Sequence, residues 1–184
     1  MKQFLTLMVV ALFGLSACAA PKTDMPVAEA SADLGIDGVY LVRHAEKTTS
    51  KDDPALTEAG EARAEVLADL LADKQLTHVH SSDTKRTRDT AAPLAERLGL
   101  DVELYDPSDL PAMAAKLKAT PGRHLVVGHS NTTPQLTELL GGDGGTEIVE
   151  ATEYDRLYWV TTSPDEPVVS YMTRFGTLYV ADEK

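Results

Sequence analysis

The chain has 184 residues, 43% of them apolar and 25% charged, which suits one folded domain with a tail and argues against a disordered chain. Its formal net charge of −12 makes nucleic acid a poor partner, because phosphate-backbone binding needs a basic face. That charge does not exclude anion binding at one spot, since a few arginines in a cleft invert the local potential.

Read from the N-terminus, Lys2 is followed by an apolar run, Phe4 to Leu15, and then by small residues up to Cys18. This is the layout of a secretory signal, and the run is too short to span a bilayer comfortably. Cys18 is the only cysteine, so no intrachain disulfide forms. Leu15-Ser16-Ala17-Cys18 resembles the lipobox of bacterial lipoproteins, which implies cleavage before Cys18 and lipidation of its thiol. An ordinary cleaved signal with an incidental cysteine is the alternative. The expected layout is a signal peptide over 1–17, a lipidated cysteine and flexible linker over 18–37, and a domain over 38–184. Ala19, where an aspartate would signal retention, points by analogy with enteric bacteria to the outer membrane, facing the periplasm. The expected partners are therefore a membrane, through Cys18, and a substrate.

Val39 to Val42 reads as a buried strand. Thr57 to Lys74 reads as a helix capped by Thr57, with Ala59, Ala62, Val66, Leu67, Leu70 and Leu71 as the inward stripe. Leu76 to His80 is a second strand. Asp83 to Arg97 is a helix that Pro93 bends or splits and Gly99 ends. Asp101 to Tyr105 is a third strand, Pro111 to Ala119 a short helix, and His124 to Val127 a fourth strand. The next helix has Thr133 as cap, Pro134 at its first position and Gly141 past its end. Leu157 to Val160, Val168 to Thr173 and Thr177 to Val180 then read as strands joined by turns, after a glycine-rich, flexible stretch from Gly141 to Gly145. The alternation predicts an α/β domain of three layers: a mainly parallel central sheet, helices on both faces, and antiparallel C-terminal edge strands.

Three pieces fall after predicted parallel strands: Arg43-His44, Arg86 and Gly128-His129. In open α/β sheets the carboxyl ends of the strands form the ligand crevice. Two arginines and two histidines from distant parts of the sequence can therefore meet there. Arginine presents a planar fork that matches phosphate oxygens, and a neutral imidazole is a competent nucleophile. A helix beginning after His129 points backbone N–H groups at an anion.

On these residues the sequence resembles the histidine phosphatase superfamily, the phosphoglycerate mutase-like proteins, from Val39 to about Phe175. The carrying segments are Val39-Tyr40-Leu41-Val42-Arg43-His44-Ala45-Glu46-Lys47, Leu56-Thr57-Glu58-Ala59-Gly60, the Ser81 to Ala91 run around Arg86, and Val126-Val127-Gly128-His129-Ser130. The resemblance implies that His44 attacks phosphorus and becomes phosphohistidine. It implies that Arg43, Arg86 and His129 bind the phosphoryl oxygens, that water completes hydrolysis, and that neither metal nor cofactor is needed.

Two departures stand out. Ala45 replaces the glycine of many members, and the general acid that protonates the leaving oxygen sits in no matching motif. Asp106 and Asp109 are the candidates; Glu103 falls within a strand, and Glu46 reads as a structural or solvent-facing charge. Some compact members of the family, the phosphohistidine phosphatases among them, lack such an acid and manage with a better leaving group, so the resemblance leaves the acid open. About 145 residues after the linker leave little room for a lid, which favours hydrolysis over mutase transfer. Two other functions compete with this one. A non-catalytic phosphate or anion binder would use the same cluster. A metal-binding lipoprotein would use His78 and His80, although no carboxylate lies at a ligand spacing.

Overall fold

The computed structural model describes residues 36–181; the signal and most of the linker expected before them lie outside the described residues. Ten elements follow in order: β1 (Gly38–Arg43), α1 (Glu58–Leu71), β2 (His78–Ser82), α2 (Lys85–Leu98), β3 (Val102–Tyr105), α3 (Leu110–Ala119), β4 (Arg123–Gly128), α4 (Thr132–Leu140), β5 (Arg156–Thr161) and β6 (Ser170–Arg174). They build one six-stranded sheet in the order β3-β2-β4-β1-β5-β6. The first four strands are parallel, and β5 and β6 add antiparallel at one side, as the alternating pattern predicts.

Strand alternation divides the core in two. Tyr40 and Val42 of β1, Val79 of β2 and Leu125 and Val127 of β4 pack under α1 and α2. Val39, Leu41, Val126, Tyr158 and Val160 point the other way, under α3 and α4. The sheet is therefore a middle layer, apolar on both faces, which is what its short continuous apolar runs require.

Several expectations need correction. Ile36 and Asp37, assigned to the linker, are docked: the Asp37 carboxylate accepts from Gly122 N at 2.9 Å, and the Ile36 carbonyl accepts from Arg123 Nε at 3.1 Å. In α1 the buried stripe is Gly60, Arg63, Ala64, Leu67, Ala68 and Leu71, whereas Val66 and Leu70 are 40% and 41% exposed. The helix is rotated because Gly60 rests on the backbone of Glu46 and Arg63 turns inward to it. The Glu46 carboxylate accepts from Arg63 Nε and Nη2 at 2.7–3.0 Å. Helix α2 continues through Pro93 unbroken and ends on Gly99 at φ +64°. Helix α4 begins two residues earlier than predicted, at Thr132 with Asn131 as its cap. Thr133 is inside it, because its N–H already donates to the His129 carbonyl at 3.0 Å, and Gly141 at φ +99° ends it.

Thr177 to Val180 is not a strand. The backbone there is satisfied by side chains instead of a ladder: Arg63 donates to the carbonyls of Phe175 and Thr177, and the Asp155 carboxylate accepts from Tyr179 N.

Candidate active site

The carboxyl ends of β1, β2 and β4 lie side by side, since β4 pairs with both of the others. Arg43 is the last residue of β1, and His44 follows it with its N–H on the Gly128 carbonyl at 2.9 Å. Gly128 ends β4 and delivers His129. Ser82 ends β2, and Arg86 lies in the first turn of α2. The four side chains singled out in the sequence are thus brought to one end of the sheet.

The imidazoles of His44 and His129 approach edge to face, with centroids 5.6 Å apart. His44 is 2% exposed. Its Nδ1 lies 2.8 Å from the Ala45 carbonyl, which can only accept, so Nδ1 carries the proton and Nε2 keeps its lone pair. The His129 ring is oriented by similar logic. Arg86 Nη2 can only donate, to Nδ1 at 3.4 Å; Nε2–H therefore donates to Ser82 Oγ at 2.8 Å. Ser82 Oγ in turn donates to Thr87 Oγ1.

Both rings are held neutral. Burial, together with the nearby cations Arg43 and Arg86, lowers His44 to about 3 against the outward pull of its Ala45 hydrogen bond. Burial, then Arg86 and Arg43, lowers His129 to about 4.

The guanidinium groups are positioned from outside the motifs. Arg43 Nη1 donates to the Glu153 carbonyl at 2.8 Å and Nη2 to the Glu150 carbonyl at 2.6 Å, and its Cζ lies 4.0 Å from the centroid of the Tyr154 ring. Arg86 is oriented by Asp53, 3.9 Å from Nη1, whose carboxylate also accepts from Lys85 N at 2.8 Å. Among the described residues, the Nε atoms of Arg43 and Arg86 are buried without a hydrogen-bond partner. Buried unpaired donors are costly unless something accepts from them. Two such donors beside a pair of neutral imidazoles suit a tetrahedral oxyanion.

Tyr154, Asp53 and the segment 149–153 were missed in the sequence. The available signal was the direction of β5. Because it runs antiparallel to β1, the residues just before it must lie at the carboxyl end of β1. The glycine-rich stretch leads into this segment, which is secured by Glu153. That carboxylate is 1% exposed and accepts from Val149 N, Arg156 and Arg174.

The two candidate acids make local hydrogen bonds. Asp106 accepts from Ser108 N and Oγ at 2.8 and 2.7 Å, which holds its carboxyl below the usual range. Asp109 caps α3 through Ala112 N at 3.1 Å. Both line a shallow pocket of about 270 Å³ at the β3–α3 edge, whose lining includes none of His44, Arg86 and His129. Glu103 pairs with Lys116 at 2.7 Å, and Glu46 with Arg63.

His78 and His80 do share a face, together with His124 on β4, but the rings stack on one another. His124 Nε2 donates to the Thr120 carbonyl, which leaves its Nδ1 to accept from His80 Nε2 at 3.0 Å. Among the described residues, no group of three or more His, Cys, Asp or Glu is arranged to hold a metal ion. No described helix is long and apolar enough to cross a membrane.

Comparison with known proteins gives this geometry a family context. Residues 39–107 match the family model of the histidine phosphatase superfamily (branch 1). The "Probable phosphoglycerate mutase GpmB" of Erwinia tasmaniensis is 42% identical over 73 residues, which are 36% of this chain and 34% of that protein. The protein of the same name from Serratia proteamaculans is 40% identical over 76 residues, or 38% of this chain and 35% of that protein. The chain thus spans about a third of the length of the curated relatives it matches. Among solved structures, the protein histidine phosphatase SixA in complex with tungstate has the same fold. It aligns with TM-score 0.62 and 18% identity over 74% of this chain and 96% of that one. A mycobacterial glucosyl-3-phosphoglycerate phosphatase aligns with TM-score 0.56 and 16% identity, over 68% of this chain and 90% of that one.

Proposed function

We propose that this chain is a metal-independent histidine phosphatase that hydrolyses a phosphomonoester through a phosphohistidine on His44. The carrying observation is the pair of neutral imidazoles, His44 buried and His129 half-buried, flanked by two guanidinium groups, each with a buried unpaired Nε. His44 Nε2 attacks phosphorus in line, a nitrogen–phosphorus bond forms, and the ester oxygen leaves with the bonding electrons and takes up a proton from solvent water. Arg43 and Arg86 take up the charge that gathers on the phosphoryl oxygens, and His129 joins them when its Nε2–H exchanges Ser82 Oγ for a phosphoryl oxygen. Water then attacks the phosphohistidine and returns His44 to its starting state. Hydrolysis in preference to mutase transfer is supported by size: about 145 residues after the linker leave little room for a lid that would exclude water.

Acid quenching during turnover of a labelled ester tests the reading. The expected result is an acid-labile, base-stable label on the protein that His44→Ala abolishes, with kcat/KM reduced about 10³-fold or more. Full activity in His44→Ala, or strict dependence on an added divalent metal, contradicts it.

One observation favours a second reading, a lipoprotein that binds phosphate without turning esters over: the carboxylates of Asp106 and Asp109 are committed to a turn and a helix cap. Phosphate binding with no turnover of several aryl esters would select it.

We further propose export and attachment through lipidated Cys18 to the outer membrane on its periplasmic side. The pattern of residues 1–18 supports this reading. A Cys18→Ser protein that remains in the membrane fraction would count against it.

A further inference from the structure

A cleft of about 410 Å³ lies between the start of α4 and the 145–148 segment. Both of its walls run directly into the phosphate site. Ser130 follows His129, and Ile148 precedes Val149 and Glu150, whose carbonyls face the Arg43 guanidinium. The cleft is therefore placed to receive whatever is attached to a phosphoryl group held between Arg43 and His129.

Its chemistry is the reverse of that site's. Ser130, Asn131 and Gln135 offer a hydroxyl and two amides, Glu138 on α4 and Glu147 on the facing segment offer carboxylates, and no lysine or arginine lines it. The guanidinium behind the 145–147 segment, Arg156, is committed to Glu153 and to the Thr146 and Glu147 carbonyls. A bound ester would thus lie along a gradient, with its phosphate at the basic end and its alcohol at the acidic end.

Resting on the phosphatase reading above, we propose that this cleft is the leaving-group subsite and that it selects alcohols bearing further hydroxyl or ammonium groups. Hydroxyls and ammonium groups donate to the carboxylates and amides. A leaving group with a second anionic centre meets like charge from Glu138 and Glu147. Phosphoglycerate, named for the relatives, is then a poor substrate of this chain.

Three esters of similar size test the point with the full-length chain: glycerol 1-phosphate, phosphoethanolamine and 3-phosphoglycerate. The expected kcat/KM for the first two exceeds that for 3-phosphoglycerate by about tenfold, the scale of two like charges a few ångströms away in a wet cleft. Replacing both carboxylates, Glu138→Lys with Glu147→Lys, narrows or reverses that ratio. Both positions are exposed, so folding is not at stake, and the Glu→Gln pair gives an intermediate ratio. Glu96→Lys, one carboxylate reversed on the exposed face of α2, leaves the ratio where it was. Equal rates for the three esters, or a ratio unmoved by the paired substitutions or moved as far by Glu96→Lys, overturns the subsite. In either case turnover of an aryl phosphate leaves the phosphatase reading standing. Turnover of no ester at all removes that reading and this inference with it.

Discussion

At the scale of single residues, the site depends on keeping histidine uncharged beside cations. An exposed imidazole titrates near 6.5. His44 and His129 are lowered to about 3 and about 4, first by burial and then by the neighbouring guanidinium groups. His44 is therefore held as a neutral nucleophile well below pH 6.5, and the proton on Nδ1 directs the free lone pair outward from Nε2. NMR titration of labelled imidazole checks this: both rings should remain neutral down to about pH 5, with His44 in its Nδ1–H tautomer. A midpoint near 6.5 for His44 would refute it. The arginines were legible in the sequence as charges. Their orientation was not, because the groups that orient them are backbone carbonyls, an aromatic ring and Asp53, none of which carries a motif.

At the scale of elements, the helix-entry segment Leu56-Thr57-Glu58-Ala59-Gly60 acquires a physical reason. Thr57 caps α1 by accepting from Gly60 N at 3.1 Å, as its position predicts. Gly60 is needed for a different cause: a Cβ there would come within 2.2 Å of the Glu46 carbonyl. That close approach lets α1 lie against the segment leaving His44, and Arg63 and Glu46 complete the contact. Gly60→Ala is expected to cost about 1–3 kcal/mol by overpacking, although alanine is the better helix former. Urea unfolding would measure it; a stabilised variant would show that the contact is loose. The predicted stripe of α1 failed here for the same reason. Counting aliphatics favoured Val66 and Leu70, but the rotation of the helix was decided by a glycine and a buried ion pair.

At the scale of the whole molecule, four histidines are held in a neutral state: His44 and the half-buried His129 at the site, and His80 and His124 in the stack. Burial lowers all four, His80 to about 3, with Glu103 pulling His80 the other way and His124, Lys116 and His78 pushing with the burial. Their folded values lie below the unfolded value near 6.5, so the unfolded chain binds protons first. The stability they contribute is fully present above about pH 6.5 and is lost progressively as pH falls below it toward the folded values of about 4 and about 3. The urea midpoint should decline over that window, and His80→Gln should flatten the decline. Equal midpoints at pH 7 and pH 5 would contradict the assignment.

By itself the sequence determined the layered α/β architecture, the four residues brought to one end of the sheet, and the positions of most strands. These depend on local periodicity and on a topological rule, that parallel strands gather their carboxyl ends. The tertiary structure alone decided what grips the guanidinium groups, which face α1 buries, that Asp106 holds a turn and Asp109 caps α3, and that residues 177–180 are held by Arg63 and Asp155 without a ladder. Each of those turns on a contact between segments distant in the chain, where one backbone carbonyl or one buried carboxylate outweighs local preference.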